Sequence, residues 1–117
     1  MSEGGQCIFC RIVRGEVPRR EAYSGPLTYA FHDLHPVAPL HVLVVPREHL
    51  EDASEVGPQH GPVLAEMAGA AHAIAEREGV AKTGYRLVFN VGRDSGSEVA
   101  HLHMHVIGGR KLTWPPG

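Results

Sequence analysis

Residues 101–107 read His-Leu-His-Met-His-Val-Ile, and this alternation constrains the chain more than any other segment. In an extended backbone, successive side chains point to opposite faces. His101, His103 and His105 then share one face at ~7 Å intervals, from the ~3.4 Å rise per residue. Leu102, Met104 and Val106 share the other, where a helix can cover them. A neutral imidazole is a good nucleophile near neutral pH, and a charged neighbour can donate a proton. The glycine-containing loop from Gly92 to Val99 can offer backbone N–H groups to a phosphate. Together these suit attack on phosphorus through a covalent histidine intermediate. The plain alternatives are three solvated histidines on an outer sheet face, or a metal-binding tract. Three imidazoles in register after a glycine loop favour the chemical reading, and their spacing is too wide for all to reach one zinc at ~2.0–2.1 Å.

The rest of the chain supplies a frame for that strand. Cys7 to Gly15 has helical spacing of Ile8, Phe9, Ile12 and Val13, stopped by Gly15 and Pro18. Glu21 to Ser24, Leu27 to Asp33 and His41 to Val45 read as strands, the last a buried apolar run stopped by Pro46. Leu34 to Leu40, with two prolines, is a loop. Pro62 to Glu78 is a helix with Pro62 at its start, Gly79 at its end, and an apolar stripe of Leu64, Met67, Ala68, Ala71 and Ala75. Tyr85 to Val91 and Leu102 to Ile107 complete five strands. The tail from Trp114 to Gly117 cannot form regular structure. The expected fold is α+β, a five-stranded antiparallel sheet with one long and one short helix.

Composition sets the class. The 117 residues suffice for one domain, taken as residues 7–117 behind a flexible tail at 1–6, and 43% are hydrophobic. Eleven Lys and Arg against thirteen Asp and Glu give a net charge of −2, which argues against a nucleic-acid partner. No apolar run approaches the ~20 residues of a membrane span. The N-terminus lacks the basic start and apolar stretch of a signal peptide, so a cytoplasmic protein is expected, where a disulfide between Cys7 and Cys10 would be uncommon. The nine histidines outnumber Phe, Tyr and Trp together. Four have bland readings: His32 points opposite to Phe31 and Asp33, His35 and His60 are solvated in loops, and His72 lies off the helix stripe. Cys7 and Cys10 have the spacing of a zinc half-site, but also that of two buried thiols.

Beyond 101–107, the order of Phe31-His32-Asp33, Pro39-Leu40-His41, Asn90 before the glycine loop and Gly108-Gly109-Arg110 resembles the histidine-triad (HIT) family over almost the whole chain. The closing Trp114-Pro115-Pro116-Gly117 is similar to its Hint branch, the nucleoside phosphoramidase type. The resemblance implies His103 as the nucleophile, His105 as the group that hydrogen-bonds the phosphate and assists the leaving group, and His101 and His41 as residues that orient and tune His103. It implies Asp33 on the ribose hydroxyls. It further implies Phe9, Val17, Phe31 and Leu34 around the base, and Asn90 with Gly96, Ser97, Glu98 and Val99 on the phosphate side. It also implies that Trp114 belongs to a C-terminus that shapes the site across a homodimer. A serine is common in that branch where this chain has Glu98; a carboxylate there repels phosphate unless it turns away or bonds the leaving amine. Some relatives pair the Cys-x2-Cys with two histidines, here His49 and His101, which implies a structural zinc held by Cys7, Cys10, His49 and His101.

The resulting expectation is a hydrolase acting at the α-phosphate of purine nucleotides, AMP or GMP derivatives, with no metal required for the chemistry. The alternatives are a dinucleoside polyphosphate hydrolase of the same superfamily and a non-catalytic nucleotide-binding module. A homodimer is also expected, from the family and from the strand edge a small sheet leaves exposed.

Overall fold

A computed structural model describes residues 7–96 and 99–117. The expected tail at 1–6, and Ser97 and Glu98 of the expected phosphate loop, lie outside the described residues. The elements are α1 (Ile8–Val13), β1 (Glu21–Ser24), β2 (Thr28–His32), β3 (Leu40–Pro46), α2 (Gly61–Arg77), β4 (Tyr85–Phe89) and β5 (Met104–Gly108). Short 3-10 turns sit at Ala53–Glu55, Pro58–His60 and Arg93–Ser95. The strands form one sheet in the order β1-β2-β3-β5-β4, with every neighbouring pair antiparallel. The expected α+β architecture is borne out. Among the described residues no helix is long and apolar enough to cross a membrane.

β3 is the central strand, and all seven of its residues are buried. A continuous apolar run suits a strand covered on both faces, and the packing shows why both are covered. Val42 and Val44 pack under α2, in a core with Met67, Ile74 and Val106. Leu43 and Val45 pack on the opposite face with Phe9 and Ile12 of α1 and with Phe31 of β2. The short helix therefore closes the sheet face that carries the histidines.

Two expectations are corrected in α2 and β5. The buried stripe of α2 is Val63, Met67, Ala70, Ala71, Ile74 and Ala75, while Ala68 is exposed and Leu64 half-buried. Both stripes have helical spacing and share Met67, Ala71 and Ala75; the one that carries the larger Val63 and Ile74 faces the sheet, because it buries more hydrocarbon. β5 starts at Met104, two residues later than expected, because the Leu102 N–H donates to the Leu50 carbonyl at 2.6 Å and not to a neighbouring strand. The alternation still holds: Leu102, Met104 and Val106 all lie in the core beneath α2. β4 likewise ends at Phe89, short of Val91.

The corrected stripe can be tested by placing a charge at either position. Ala70→Lys should lower unfolding stability by about 3 kcal/mol or more, through overpacking and an unpaired buried charge. Ala68→Lys should stay within about 0.5 kcal/mol of the parent. Urea midpoints at pH 7 measure both, and the reverse order would restore the stripe read from the sequence.

Candidate functional site

Four histidines converge on one side of the sheet, and their backbone partners fix where each proton sits. The carbonyl of His101 can only accept, so His103 donates to it from Nδ1, at 2.7 Å. The basic nitrogen of His103 is therefore Nε2. The Val37 N–H can only donate, and it does so to His41 Nδ1 at 3.1 Å. A neutral His41 then carries its proton on Nε2, which lies 2.9 Å from His105 Nδ1. That bond leaves the His105 proton on Nε2. His103 and His105 are adjacent, with ring centroids 5.1 Å apart. His41 thus bonds His105 directly and reaches His103 only through it.

His101 leaves the row. Its ring is fully buried and its Nε2–H donates to the Pro46 carbonyl at 3.0 Å. Its Nδ1 lone pair faces Cys7 Sγ and Cys10 Sγ, each at 3.4 Å, and His49 Nδ1 at 3.2 Å. Cys10 Sγ and His49 Nδ1 are 3.2 Å apart. These separations are close to the ~3.3–3.8 Å edges of a tetrahedron built on zinc–nitrogen and zinc–sulfur bonds of ~2.0–2.3 Å. Burial, reinforced by Cys7, pushes the Cys10 thiol up to about 11, and a cation at the centre reverses that preference. The Nε2–H bond to a backbone carbonyl is the outer partner a metal-bound histidine needs. Cys7, Cys10, His49 and His101 are positioned to bind a metal ion. His49 Nε2 is buried without a hydrogen-bond partner among the described residues.

Asp33, His41 and His105 also gather within 4.8 Å, but their protons argue against a second metal site. The atom His41 would offer, Nε2, already holds the hydrogen of the His41–His105 bond, because Nδ1 is occupied by the Val37 N–H. Asp33 completes this chain: Oδ1 accepts the His35 N–H at 2.8 Å and Oδ2 lies 3.5 Å from His41 Nε2.

A cleft of about 340 Å³ opens over His103 and His105, a size suited to a small ligand. Of the expected nucleotide-binding residues, Phe9, Phe31, Asp33, Leu34, Asn90, Gly96 and Val99 line it. Val17 packs against the smaller core, and Trp114 is 81% exposed; neither lines the cleft. Phe9 touches the rings of Phe31, His101 and His103, with centroids 5.4, 5.9 and 5.2 Å away. The sequence reading missed Leu43, Arg19 and His35, the last read only as solvated. Leu43 was accessible to it, since it alternates with Val42 and Val44 and so shares the His41 face.

The remaining histidines divide. His32 turns toward Arg20, Arg77 and Glu78, away from Phe31 as expected, although it borders the cleft. His72 is exposed, near Glu76 and Tyr85, as expected. His35 is exposed. His60 is corrected: it is only 7% exposed, because its Nδ1 accepts the Gly57 N–H at 2.8 Å and the ring folds back over that turn.

Burial pushes His105 from the ordinary 6.5 down to about 4, with His103 and His41 adding to the shift and Asp33 opposing it. Burial lowers His41 in the same way. Between about 6.5 and 4 the unfolded chain therefore binds protons that the folded chain does not. Stability present at higher pH is lost as pH falls through this window. Urea midpoints should fall from pH 7 to pH 4.5, and less steeply in His105→Gln. Equal slopes in the two proteins would show that His105 is not held neutral by folding.

The HIT domain family model matches residues 14–112 of the chain. The purine nucleoside phosphoramidase of Escherichia coli strain K12 is 42% identical over 107 residues, covering 92% of this chain and 90% of that protein. The crystal structure of a HIT family hydrolase from Legionella pneumophila superposes with a TM-score of 0.92 at 41% identity, covering 95% of this chain and 99% of that one. A histidine triad protein from Clostridium difficile superposes with a TM-score of 0.88 at 39% identity, over 92% and 94% of the two chains. With the family model spanning the histidine row, all five strands and α2, the chain belongs to the HIT family and is a hydrolase.

Proposed function

We propose that the chain hydrolyses phosphoramidate and acyl-phosphate bonds at the α-phosphate of purine nucleotides, through a nucleoside monophosphate carried on His103. The observation that carries this reading is the 2.7 Å bond from His103 Nδ1–H to the His101 carbonyl. It leaves Nε2 as a lone-pair nitrogen on a ring that lines the cleft. In the first step Nε2 forms a bond to phosphorus and the bond to the leaving amine or acyl group breaks. In the second, water attacks the same phosphorus, the P–N bond to His103 breaks, and the monophosphate departs.

His105 is neutral at rest, and its Nε2–H hydrogen-bonds a phosphate oxygen or protonates a leaving amine, the attacking water restoring that proton in the second step; His41 holds the orientation from behind. His101 acts on His103 through its carbonyl. Asp33 accepts from the ribose hydroxyls with the lone pairs its turn leaves free. Phe9, Phe31 and Leu34 take the base, with Val17 backing Phe9. Asn90 and the backbone near Gly96 and Val99 face the phosphate. The purine class of substrate is supported by the name of the Escherichia coli relative.

Zinc is the ion that best suits the Cys7, Cys10, His49 and His101 donor set. When bound it supplies a crosslink between α1 and the segment that enters β5. The chain is also proposed to form a homodimer: β4 is an edge strand with Leu87 and Phe89 exposed, and Val91 is exposed just beyond it. Exposed Trp114 is then available to the partner's cleft. The two free thiols fit a reducing compartment, and the cytoplasm is proposed as its location.

His103→Ala should abolish release of AMP from a fluorogenic AMP-amide and prevent adenylate labelling of the protein. Activity within about threefold of the parent would refute the nucleophile, since loss of a covalent nucleophile ordinarily costs orders of magnitude. Protein purified without a histidine tag should hold about one equivalent of zinc, lost in Cys7→Ser together with stability. Less than about half an equivalent, unchanged by that substitution, would sink the zinc assignment.

A further inference from the structure

Arg19 lines the same cleft as His103 and His105, yet nothing in the chemistry above uses it. Its placement follows from strand alternation. The Arg20 carbonyl accepts the His32 N–H at 2.9 Å, and the side chain of Arg20 lies near His32. His32 faces the α2 side of the sheet, so the next residue back, Arg19, presents to the other side, the face of Phe31. The sheet order then says which end of the cleft this is. His103 and His105 enter from β5, Asn90 from the end of β4, Asp33 from the end of β2, and Arg19 from just before the edge strand β1. From β5 to β1 is three strand spacings, ~14 Å, about the length of a nucleoside monophosphate. With phosphorus at His103 and ribose at Asp33, Arg19 meets the outer edge of the base.

Among the described residues the guanidinium makes one hydrogen bond, from Nη1 to the Pro18 carbonyl at 3.1 Å. The side chain is half-buried, so most of its five donors remain for a ligand. A purine offers one edge that fits such a fork. Guanine presents O6 and N7, two acceptors side by side. Adenine replaces O6 with an amino group, whose hydrogens oppose those of arginine. We infer that Arg19 is a specificity-determining residue that makes this cleft prefer 6-oxopurine nucleotides over adenine nucleotides. The inference rests on the nucleotide-hydrolase reading above and adds the identity of the base.

Calorimetric titration of the full-length protein with GMP, IMP and AMP tests it without turnover. IMP keeps O6 and N7 but lacks the 2-amino group, so it isolates the edge Arg19 would read. GMP and IMP should bind alike, each about tenfold more tightly than AMP. Arg19→Ala should bring all three together, and Arg19→Lys, which keeps the charge but not the fork, should lose most of the preference. Equal affinities in the parent protein overturn the inference, as does a preference that survives in Arg19→Ala, or GMP binding tightly while IMP matches AMP. Failure of every nucleotide to bind would instead overturn the nucleotide reading itself. In that case the AMP-amide assay would be silent as well, which separates the two failures.

Discussion

The carbonyl of His101 is the constraint on which the site depends. It accepts the Nδ1–H of His103 and so decides which nitrogen of that ring is basic. A carbonyl inside a sheet ladder is already engaged with the neighbouring strand. This one is free to take an imidazole because the chain joins the ladder only at Met104, after Leu102 has spent its N–H on Leu50. The late start of β5 therefore shapes the geometry of the site. The ring of the same residue is anchored on Pro46 and sits among Cys7, Cys10 and His49. A shift in that cluster is transmitted to His103 over a single residue.

Phe9 joins the two centres from the other side. Its ring packs edge-on against His101, His103 and Phe31, while Cys7 and Cys10 flank it on the same short helix. A six-residue helix has little stability of its own, so α1 relies on these contacts and on the metal-ligand cluster to stay docked. Once docked, it gives the histidine face of β3 and β5 a dry wall. On the same sheet face, burial lowers His105 and His41 and favours their neutral, hydrogen-bonding forms.

How much of this was legible follows from how local each signal is. The period-two pattern at 101–107 gave the correct faces, because side-chain alternation needs no partner. It did not give the start of β5, which depends on Leu50, half the chain away. The buried character of β3 could be read from its apolar run, and the partner of His41 could not, since the ring's direction is set by Val37 and by β5 lying alongside. The stripe of α2 was ambiguous because two overlapping helical faces share three residues; only the sheet chooses between them. His60 failed for a related reason, its ring satisfying a turn that composition alone marks as solvated. Arg19 was missed because a lone arginine before a short edge strand has no pattern, whereas the sheet order places it.

These elements together define how the cleft handles charge. The chain is slightly acidic overall, and among the described residues that line the cleft Arg19 is the one Lys or Arg. His105 and His41 are held neutral, so the site does not attract a phosphate with a field of fixed cations. What it offers instead is a directed donor, the N–H on His105 Nε2. A donor fixed in this way discriminates by geometry and, in the proposed reaction, costs little reorganisation as negative charge builds on the phosphorus oxygens and the leaving atom. The same neutrality suits the nucleophilic role proposed for His103, whose Nε2 lone pair would act only while unprotonated. Burial of the histidine chain is thus both what the fold must stabilise and what the proposed chemistry requires.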